Sequence, residues 1–167
     1  AGYVQLDNQF GQKLRAVWGV RVEDFDQLIG SVKESDSRFV HTEVRDFLPA
    51  LNLTYKINNR TNLRLSGSQT VVRPEFRELS SFAFYDFELG ATVLGNDTLQ
   101  RTKISNFDLR YEFYPRAGEV FTLGVFYKYF SNPIELYFNQ SGAGSSNTFN
   151  YINAEKAKGY GVEFEMR

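Results

Sequence analysis

The chain has 167 residues, no cysteine, one histidine, and 19 basic against 20 acidic residues. A net charge of −1 without a basic tract gives no electrostatic case for nucleic acid as a partner. The lack of cysteine excludes a disulfide scaffold and a thiol nucleophile. Aromatic residues are frequent (16 Phe, 10 Tyr and 1 Trp), yet the mean hydropathy is −0.39, so apolar residues must be interleaved with polar ones.

Apolar and polar side chains alternate with a period of two along most of the chain, which indicates half-buried strands. In the clearest stretch, Phe107, Leu109, Tyr111 and Phe113 alternate with Asn106, Asp108, Arg110 and Glu112. The pattern predicts seven strands, at roughly residues 3–10, 13–23, 48–57, 62–70, 103–114, 119–130 and 157–167. We therefore predict an all-β fold, an antiparallel up-and-down meander in which Phe126 and Phe130 interrupt an otherwise polar face.

The connections between these strands alternate in length. Three are tight turns, around Gly11, at Asn58–Thr61 and at Pro115–Gly118, and all are rich in Asn, Gly or Pro. Three are long, at about residues 24–47, 71–102 and 131–156, and loops of this length are uncommon in compact domains. Short turns at one end and long loops at the other are typical of outer-membrane barrels, whose strands also have about this length.

Aromatic residues cluster at both ends of the predicted strands, as in the aromatic girdles of membrane barrels. Phe10, Phe113, Tyr114 and Phe121 adjoin the tight turns, and Tyr127, Tyr129 and Phe130 lie at the opposite ends. The same rings are compatible with cross-strand packing in a soluble sheet. Taken with the loop asymmetry, they favour a transmembrane β-barrel with an apolar face toward lipid and a polar face toward a wet lumen.

Three segments resemble the C-terminal barrel region of TonB-dependent outer-membrane receptors, especially those of Bacteroidetes-like bacteria. They are FLPALNLTYKINNRTNLRLSGSQTVVRPEFREL at 47–79, FAFYDFELGATVLGNDTLQRTKISNFDLRYEFYPRAGEVFTLGVFYKYFSNPIE at 82–135, and NAEKAKGYGVEFEMR at 153–167. The family-like features are an "R-P-x-F-R-E-L" motif, an aromatic loop, and a "G-N-x-x-L-x-R-T" entry into the next strand. The order of these pieces is more specific than any one of them.

The resemblance implies that residues 1–167 form a single segment, about a third of a barrel of about 22 strands. It implies outer-membrane lipid, the rest of the barrel and plug, a TonB-type energy-coupling protein and a small solute as partners. The imported solute would be a siderophore, metal complex, vitamin or glycan. We recognise no plug domain and no signal peptide in these residues, and the final strand does not end in an aromatic residue.

Two arginines, Arg73 and Arg77, flank Pro74 in the motif RPEFREL and are candidate contacts for an anionic ligand. The alternative is that Arg73 pairs with Glu75, and Arg77 with Glu78, and that both pairs only shape the loop. An aromatic stretch at 81–88 supplies four further ligand-contact candidates, or else a loop core or an extra hairpin above the barrel. These four candidates are Phe82, Phe84, Tyr85 and Phe87.

No residue pattern indicates catalysis, a cofactor or a metal. His41 has no second histidine with which to build a metal site, and we expect a solvated loop residue there. No serine lies in a nucleophile elbow, so we expect no enzyme. The Gly-rich stretch at 140–146 lacks the lysine and helix of a phosphate-binding loop, and we predict a flexible loop tip.

The leading hypothesis is a fragment of a receptor that imports a scarce solute across the outer membrane. Two alternatives stay open: a soluble lipocalin-like or sheet-type module that binds a small apolar ligand, and a surface structural or adhesion β-protein. The face that carries the apolar residues discriminates between them, because a lipocalin calyx is apolar inside.

Overall fold

The computed structural model describes residues 1–30, 39–80, 82–139 and 148–167, of which 39, 40 and 139 are described by their backbone alone. In the described part, eleven strands and one short helix follow one another along the chain. They are β1 (Gly2–Phe10), β2 (Leu14–Gly30), β3 (Phe39–Asn58), β4 (Thr61–Val72), α1 (Phe76–Leu79), β5 (Ala83–Asp86), β6 (Ala91–Leu94), β7 (Thr102–Phe113), β8 (Phe121–Ser131), β9 (Ile134–Asn139), β10 (Thr148–Asn153) and β11 (Lys156–Met166). Described residues contain no helix that is long and apolar enough to cross a membrane.

Seven strands form one antiparallel sheet in the order β1-β2-β3-β4-β7-β8-β11. These are the seven strands that the alternation predicts, and each pairs with its predicted neighbour, so the meander is confirmed. Three tight turns join β1 to β2, β3 to β4 and β7 to β8, all at the same end of the sheet. Gly11 and Gly118 have φ values of 63° and 87°, a conformation that favours glycine.

The prediction of a long loop over residues 24–47 is wrong. β2 and β3 stay paired from Leu14↔Tyr55 to Gly30↔Phe39, so the hairpin extends far beyond the predicted strand ends. Polar residues suggested a loop in the sequence, but in the hairpin they form cross-strand polar contacts. Arg45 donates to Asp24, and His41 pairs with Asp26 at 2.8 Å.

The long connections predicted at 71–102 and 131–156 are likewise structured in their described parts. They contribute α1 and a second, four-stranded sheet in the order β5-β6-β10-β9, which we call the cap. The parallel pairing of β10 with β6 joins the two connections. An extra hairpin, one of the alternatives that the sequence left open for residues 81–88, is present, because β5 pairs with β6 in antiparallel fashion. The Gly-rich stretch at 140–146 lies outside the described residues.

The two faces of the seven-stranded sheet separate as predicted. The register places Trp18, Leu51, Gly67, Phe107 and Tyr127 in one row across the sheet. Directly opposed residues lie on the same face of a sheet, so this row shares one face. We call this apolar face the outward face and the other the inward face. Trp18, Leu53, Tyr55, Leu109, Tyr111, Val125, Tyr127 and Phe164 all lie on the outward face; Asn106, Asp108, Arg110, Glu112 and Glu163 lie on the inward face. Many of the large outward side chains, such as Trp18, Phe107 and Leu123, are about half exposed, so no other part of the described chain covers this apolar face.

The described buried apolar side chains lie mainly beneath the cap rather than in the large sheet. Ile29, Leu79 and Leu99 form a small cluster, against which Ile134 and Tyr151 pack. Burial raises the pKa of the Tyr151 phenol, with a further contribution from the nearby Glu78 carboxylate. The cap is thus anchored on α1 and on the extended end of β2.

Candidate functional site

A network of ion pairs joins the extended hairpin to the ends of β4 and β7. Asp46, which is 3% exposed, accepts hydrogen bonds from Arg73 Nη2 at 2.9 Å and from Arg101 Nε at 2.7 Å. Arg73 Nη1 also contacts Glu23 at 2.8 Å, and the Arg73 guanidinium lies over the Phe25 ring at 4.7 Å. We call Glu23, Asp46, Arg73 and Arg101 the rim network.

A cavity of about 470 Å³ opens beside the rim network, and we call it the rim cavity. Arg73 and Arg101 supply positive charge to its wall, while Phe25 and Leu79 supply apolar surface. Two buried polar atoms of its lining, Arg73 Nε and Gln27 Oε1, have no hydrogen-bond partner among the described residues. Leaving two polar groups buried and unpaired beside the rim cavity is energetically costly.

Asparagine side chains tie the two long connections together above the rim. Asn153 Nδ2 donates to the carbonyls of Gln100 and Asn132, and Asn153 Oδ1 accepts from the Gln100 amide at 2.7 Å. Asn96 Nδ2 donates to the Tyr151 carbonyl at 2.9 Å, and Asn96 Oδ1 accepts from the Thr98 amide. These bonds hold the cap in one position over the sheet without a large apolar core.

Most of the sequence-predicted ligand residues meet on the cap. Arg77 lies over the Phe84 ring at 4.8 Å, and Tyr85 meets Phe87 edge to face with ring centroids 5.2 Å apart. Phe82 joins them around an open depression of about 630 Å³. We call Arg77, Phe82, Phe84, Tyr85 and Phe87 the aromatic cluster. Its Phe87 ring is 90% exposed, which leaves a flat apolar surface available to a ligand.

Arg73 does not join this cluster, and the ion pairs that the sequence suggested within RPEFREL are not formed. Arg73 pairs with Glu23 and Asp46 instead of Glu75. Glu75 and Glu78 form a capping box on α1: Glu78 Oε2 accepts a hydrogen bond from the Glu75 amide at 2.8 Å. Arg77 stacks on Phe84 rather than pairing with Glu78. The structure thus separates two arginines that the motif places four residues apart.

Asp46 and Arg101 are the main residues that sequence reasoning missed. Both lie in segments predicted as loops, and they are 55 positions apart. His41 lies on β3 and pairs with Asp26, so its prediction as a loop residue is wrong. Within the described residues, no group of three or more His, Cys, Asp or Glu side chains is arranged to hold a metal ion.

The sheet is a seven-stranded meander with an apolar outward face and a polar inward face. Tight turns join its strands at one end, and long connections join them at the other. These are the features of the wall of a transmembrane β-barrel. The chain belongs to the outer membrane protein β-barrel family, whose model matches residues 1–167. This membership places the protein in the outer membrane and confirms the fold class. No curated protein sequence matches the chain.

Solved structures of outer-membrane receptors share this fold. The chain is similar to the siderophore receptor PirA from Pseudomonas aeruginosa, with a TM-score of 0.72 and 19% identity over 98% of this chain and 27% of that one. It is similar to the hemophore receptor HasR of Serratia marcescens, solved with its hemophore HasA and heme, with a TM-score of 0.76 and 13% identity over 98% of this chain and 30% of that one. A variant of the ferric enterobactin receptor PfeA from Pseudomonas aeruginosa, in complex with enterobactin, gives a TM-score of 0.69 and 20% identity over 97% and 23% of the two chains. The chain therefore spans less than a third of these receptors.

Proposed function

We propose that the chain is part of the barrel of a TonB-dependent receptor of the type found in Bacteroidetes-like bacteria. The whole receptor would import a scarce solute with energy supplied through a TonB-type coupling protein. The observation that carries this proposal is the asymmetry of the sheet: one end has tight turns, and the other carries the cap with its exposed aromatic cluster. The fold shared with siderophore and hemophore receptors supports it.

The chemistry proposed for this end is binding and gated passage, with no covalent step. The aromatic cluster would make the first contact, because exposed rings and a stacked guanidinium suit a planar or anionic solute. Arg73 would contribute through the rim cavity, whose wall it helps to form. The polar inward face, with Ser66 bonded to Asp108 and Arg64 to Glu112, would line a wet passage.

The inward face disfavours the soluble alternative. A lipocalin-like calyx encloses its apolar ligand with apolar residues. Here Arg64, Asp108, Arg110 and Glu112 share the inward face, and the apolar rows point outward. A small apolar ligand therefore has no matching interior along this sheet.

The test uses the full receptor in its bacterium. Cells would be starved of one nutrient at a time and offered labelled ferric siderophores, heme, a vitamin or a glycan, with and without the energy-coupling protein. We expect accumulation of one of these solutes that depends on both the receptor and the coupling protein. Accumulation of none of them, or fractionation of the receptor without detergent, would contradict the proposal.

The role of the aromatic cluster is tested separately by solute binding to the purified receptor. The double variant with Tyr85→Ala and Phe87→Ala should bind the solute about two- to tenfold more weakly, because a ring contact contributes about 0.5–1.5 kcal/mol. Phe10→Ala, at the tight-turn end of the outward face, is the matched control and should bind as the native receptor does. Equal binding by all three proteins would remove the cluster from the ligand site.

A further inference from the structure

Three lysines lie together at the cap end of the outward face. Register pairs Lys103 with Ser131 and Ser131 with Lys156, so both lysines occupy the same row, and Lys158 lies opposite Tyr129 in the row below. From strand and residue spacings, the Cα atoms of Lys103 and Lys156 are about 10 Å apart, and those of Lys156 and Lys158 about 7 Å apart. All three residues are exposed, and Lys103 also borders the rim cavity.

No acidic side chain of the described residues pairs with this group, which we call the lysine triad. Among the described residues, none of the three ammonium groups takes part in an ion pair or hydrogen bond, in contrast to the charges at the corresponding end of β2 and β3. Outward positions in the same two rows are apolar, hydroxylic or amide-bearing. They are Val20, Pro49, Gln69, Ser105 and Tyr129 in one row, and Val22, Phe47, Val71 and Ser131 in the other.

The surface next to the lysine triad continues directly into the membrane face. Tyr129 adjoins Lys158, and Tyr127, Phe107 and Val125 follow toward the tight-turn end. Family membership places this apolar face against lipid. Any molecule that touches both the triad and this face must therefore combine a negative head with apolar chains.

We propose that Lys103, Lys156 and Lys158 bind the phosphate groups of an anionic lipid in the outer leaflet. The acyl chains of this lipid would lie on Tyr129, Tyr127 and Phe107 of the outward face. An ammonium group is a compact point charge that suits phosphate, and lysines close to an anionic membrane surface each contribute attraction to it. The leaflet follows from the long connections, which face outward in barrels of this class. This proposal rests on the family and the register, not on the transported solute.

The experiment uses the full receptor in nanodiscs made of phosphatidylcholine with an equal part of phosphatidylglycerol. Native mass spectrometry would count the lipids of each kind that stay bound after release from the disc. We expect the native receptor to retain phosphatidylglycerol in preference to phosphatidylcholine. Each lysine-to-glutamine change in the triad should reduce that preference by roughly fivefold. Replacing the three lysines by arginine should preserve it.

Lys128→Gln is the matched control, because it removes one positive charge from the inward face, where Lys128 lies opposite Asn106. The control should keep the full preference. An equal loss in Lys128→Gln and Lys156→Gln would show an effect of overall charge alone and would overturn the site. Unchanged preference after all three triad changes would overturn it as well, provided that the variant barrel keeps its native resistance to denaturation.

Two further outcomes distinguish the occupant. Inorganic phosphate should displace the lipid no better than sodium chloride of the same ionic strength, because the acyl chains hold it too. Specific displacement by inorganic phosphate would replace the lipid site with a plain phosphate site. A second receptor copy or another protein retained on this face, with the lipid absent, would make it a protein interface and would also overturn the proposal.

Discussion

A single buried carboxylate, Asp46, holds the rim network together. It receives hydrogen bonds from Arg73 and Arg101, which come from the ends of two different strands. Both guanidinium groups are more than 70% buried and carry positive charge, so they depend on this partner. The end of β4 and the start of β7 are therefore held against the extended hairpin by the side chain of Asp46.

Replacement of Asp46 by Asn tests this role. The change leaves Arg73 and Arg101 short of negative charge, and we expect the free energy of unfolding of the full barrel to fall by about 2–3 kcal/mol. Denaturant unfolding monitored by tyrosine and tryptophan fluorescence would measure it. Asp24→Asn is the control: its pair with Arg45 is exposed on both sides, so the loss should stay below about 1 kcal/mol. Similar losses for both variants would contradict a central role for Asp46.

Gly95 decides how closely the cap approaches α1. A Cβ atom at this position would lie 2.1 Å from the Ser80 carbonyl oxygen and 2.9 Å from those of Arg77 and Glu78. All three neighbours are backbone atoms, and the adjacent Asn96 amide donates to the Glu78 carbonyl at 2.6 Å. Only glycine fits here without separating α1 from β6.

We therefore expect Gly95→Ala to displace α1 and to cost about 1–3 kcal/mol of local stability. Amide hydrogen exchange in residues 76–99 of the full barrel should become faster, while β7 and β8 keep their protection. The control is Gly67→Ala on the outward face, where the new Cβ would meet the Phe107 ring at an ordinary 3.7 Å. Unchanged exchange around Gly95 would show that the backbone there moves without cost.

The candidate site was only partly predictable at this scale. Local sequence suggested Arg77 and the aromatic residues, which lie within eleven positions of one another and meet between α1 and β5. It could not connect Asp46 to Arg73 and Arg101, which are 27 and 55 positions away, because only strand register brings them together. Arg73 is two residues from Glu75 in the sequence, which suggested an ion pair, but its guanidinium pairs with Glu23 and Asp46 instead.

At the scale of elements, the strands are predictable where one face meets lipid and unpredictable where it does not. Along β2 the outward side is apolar from Leu14 to Val22, about the nine to eleven residues that cross a bilayer. Beyond Val22 the outward positions become Asp24 and Asp26, so the alternation that marked the strand disappears although the pairing continues. The alternation of apolar and polar residues therefore predicts that a strand exists, but it does not predict how far the strand continues beyond the membrane.

The inward aromatic Phe126, which interrupts the polar pattern, also has a structural reason. Its ring lies over Gly161 on the neighbouring strand, where a Cβ atom would come within 2.7 Å of the ring. The glycine leaves a gap in the inward face, and the ring of Phe126 covers the exposed backbone. Period-two alternation alone contains no information about such a cross-strand pair.

Spin labels at Leu109 and Arg110 test the assignment of the two faces. Leu109 shares a row with Leu65 and Val125, whereas Arg110 lies opposite Arg64, so a one-residue slip in register would exchange them. In the full barrel within a bilayer, the label at 109 should be quenched by oxygen and the label at 110 by a water-soluble nickel complex. These residues contain no cysteine that would compete for the label. Equal accessibility at both positions would contradict the assignment.

The whole sheet has two open edges, and these explain why it is part of a larger barrel. Among the described strands, β1 and β11 each pair on one side only. The outward side chains of β11 are among the most exposed apolar groups of the molecule, with Tyr160, Val162 and Phe164 at 70% or more. Unpaired backbone groups cannot be left in lipid, so neighbouring strands of the complete barrel must pair with both edges.

Residues 1–167 expressed alone should therefore associate. The unpaired backbone groups of β1 and β11 would recruit further strands, and the uncovered outward face would recruit other apolar surfaces. Light scattering without detergent should show large assemblies, and hydrogen exchange should show that β1 and β11 become protected within them. A clean monomer in buffer, with fast exchange along both edge strands, would mean that this sheet tolerates water on its outward face. That result would contradict the assignment of the face to lipid, because a sheet built to contact acyl chains has no other way to cover Tyr160, Val162 and Phe164.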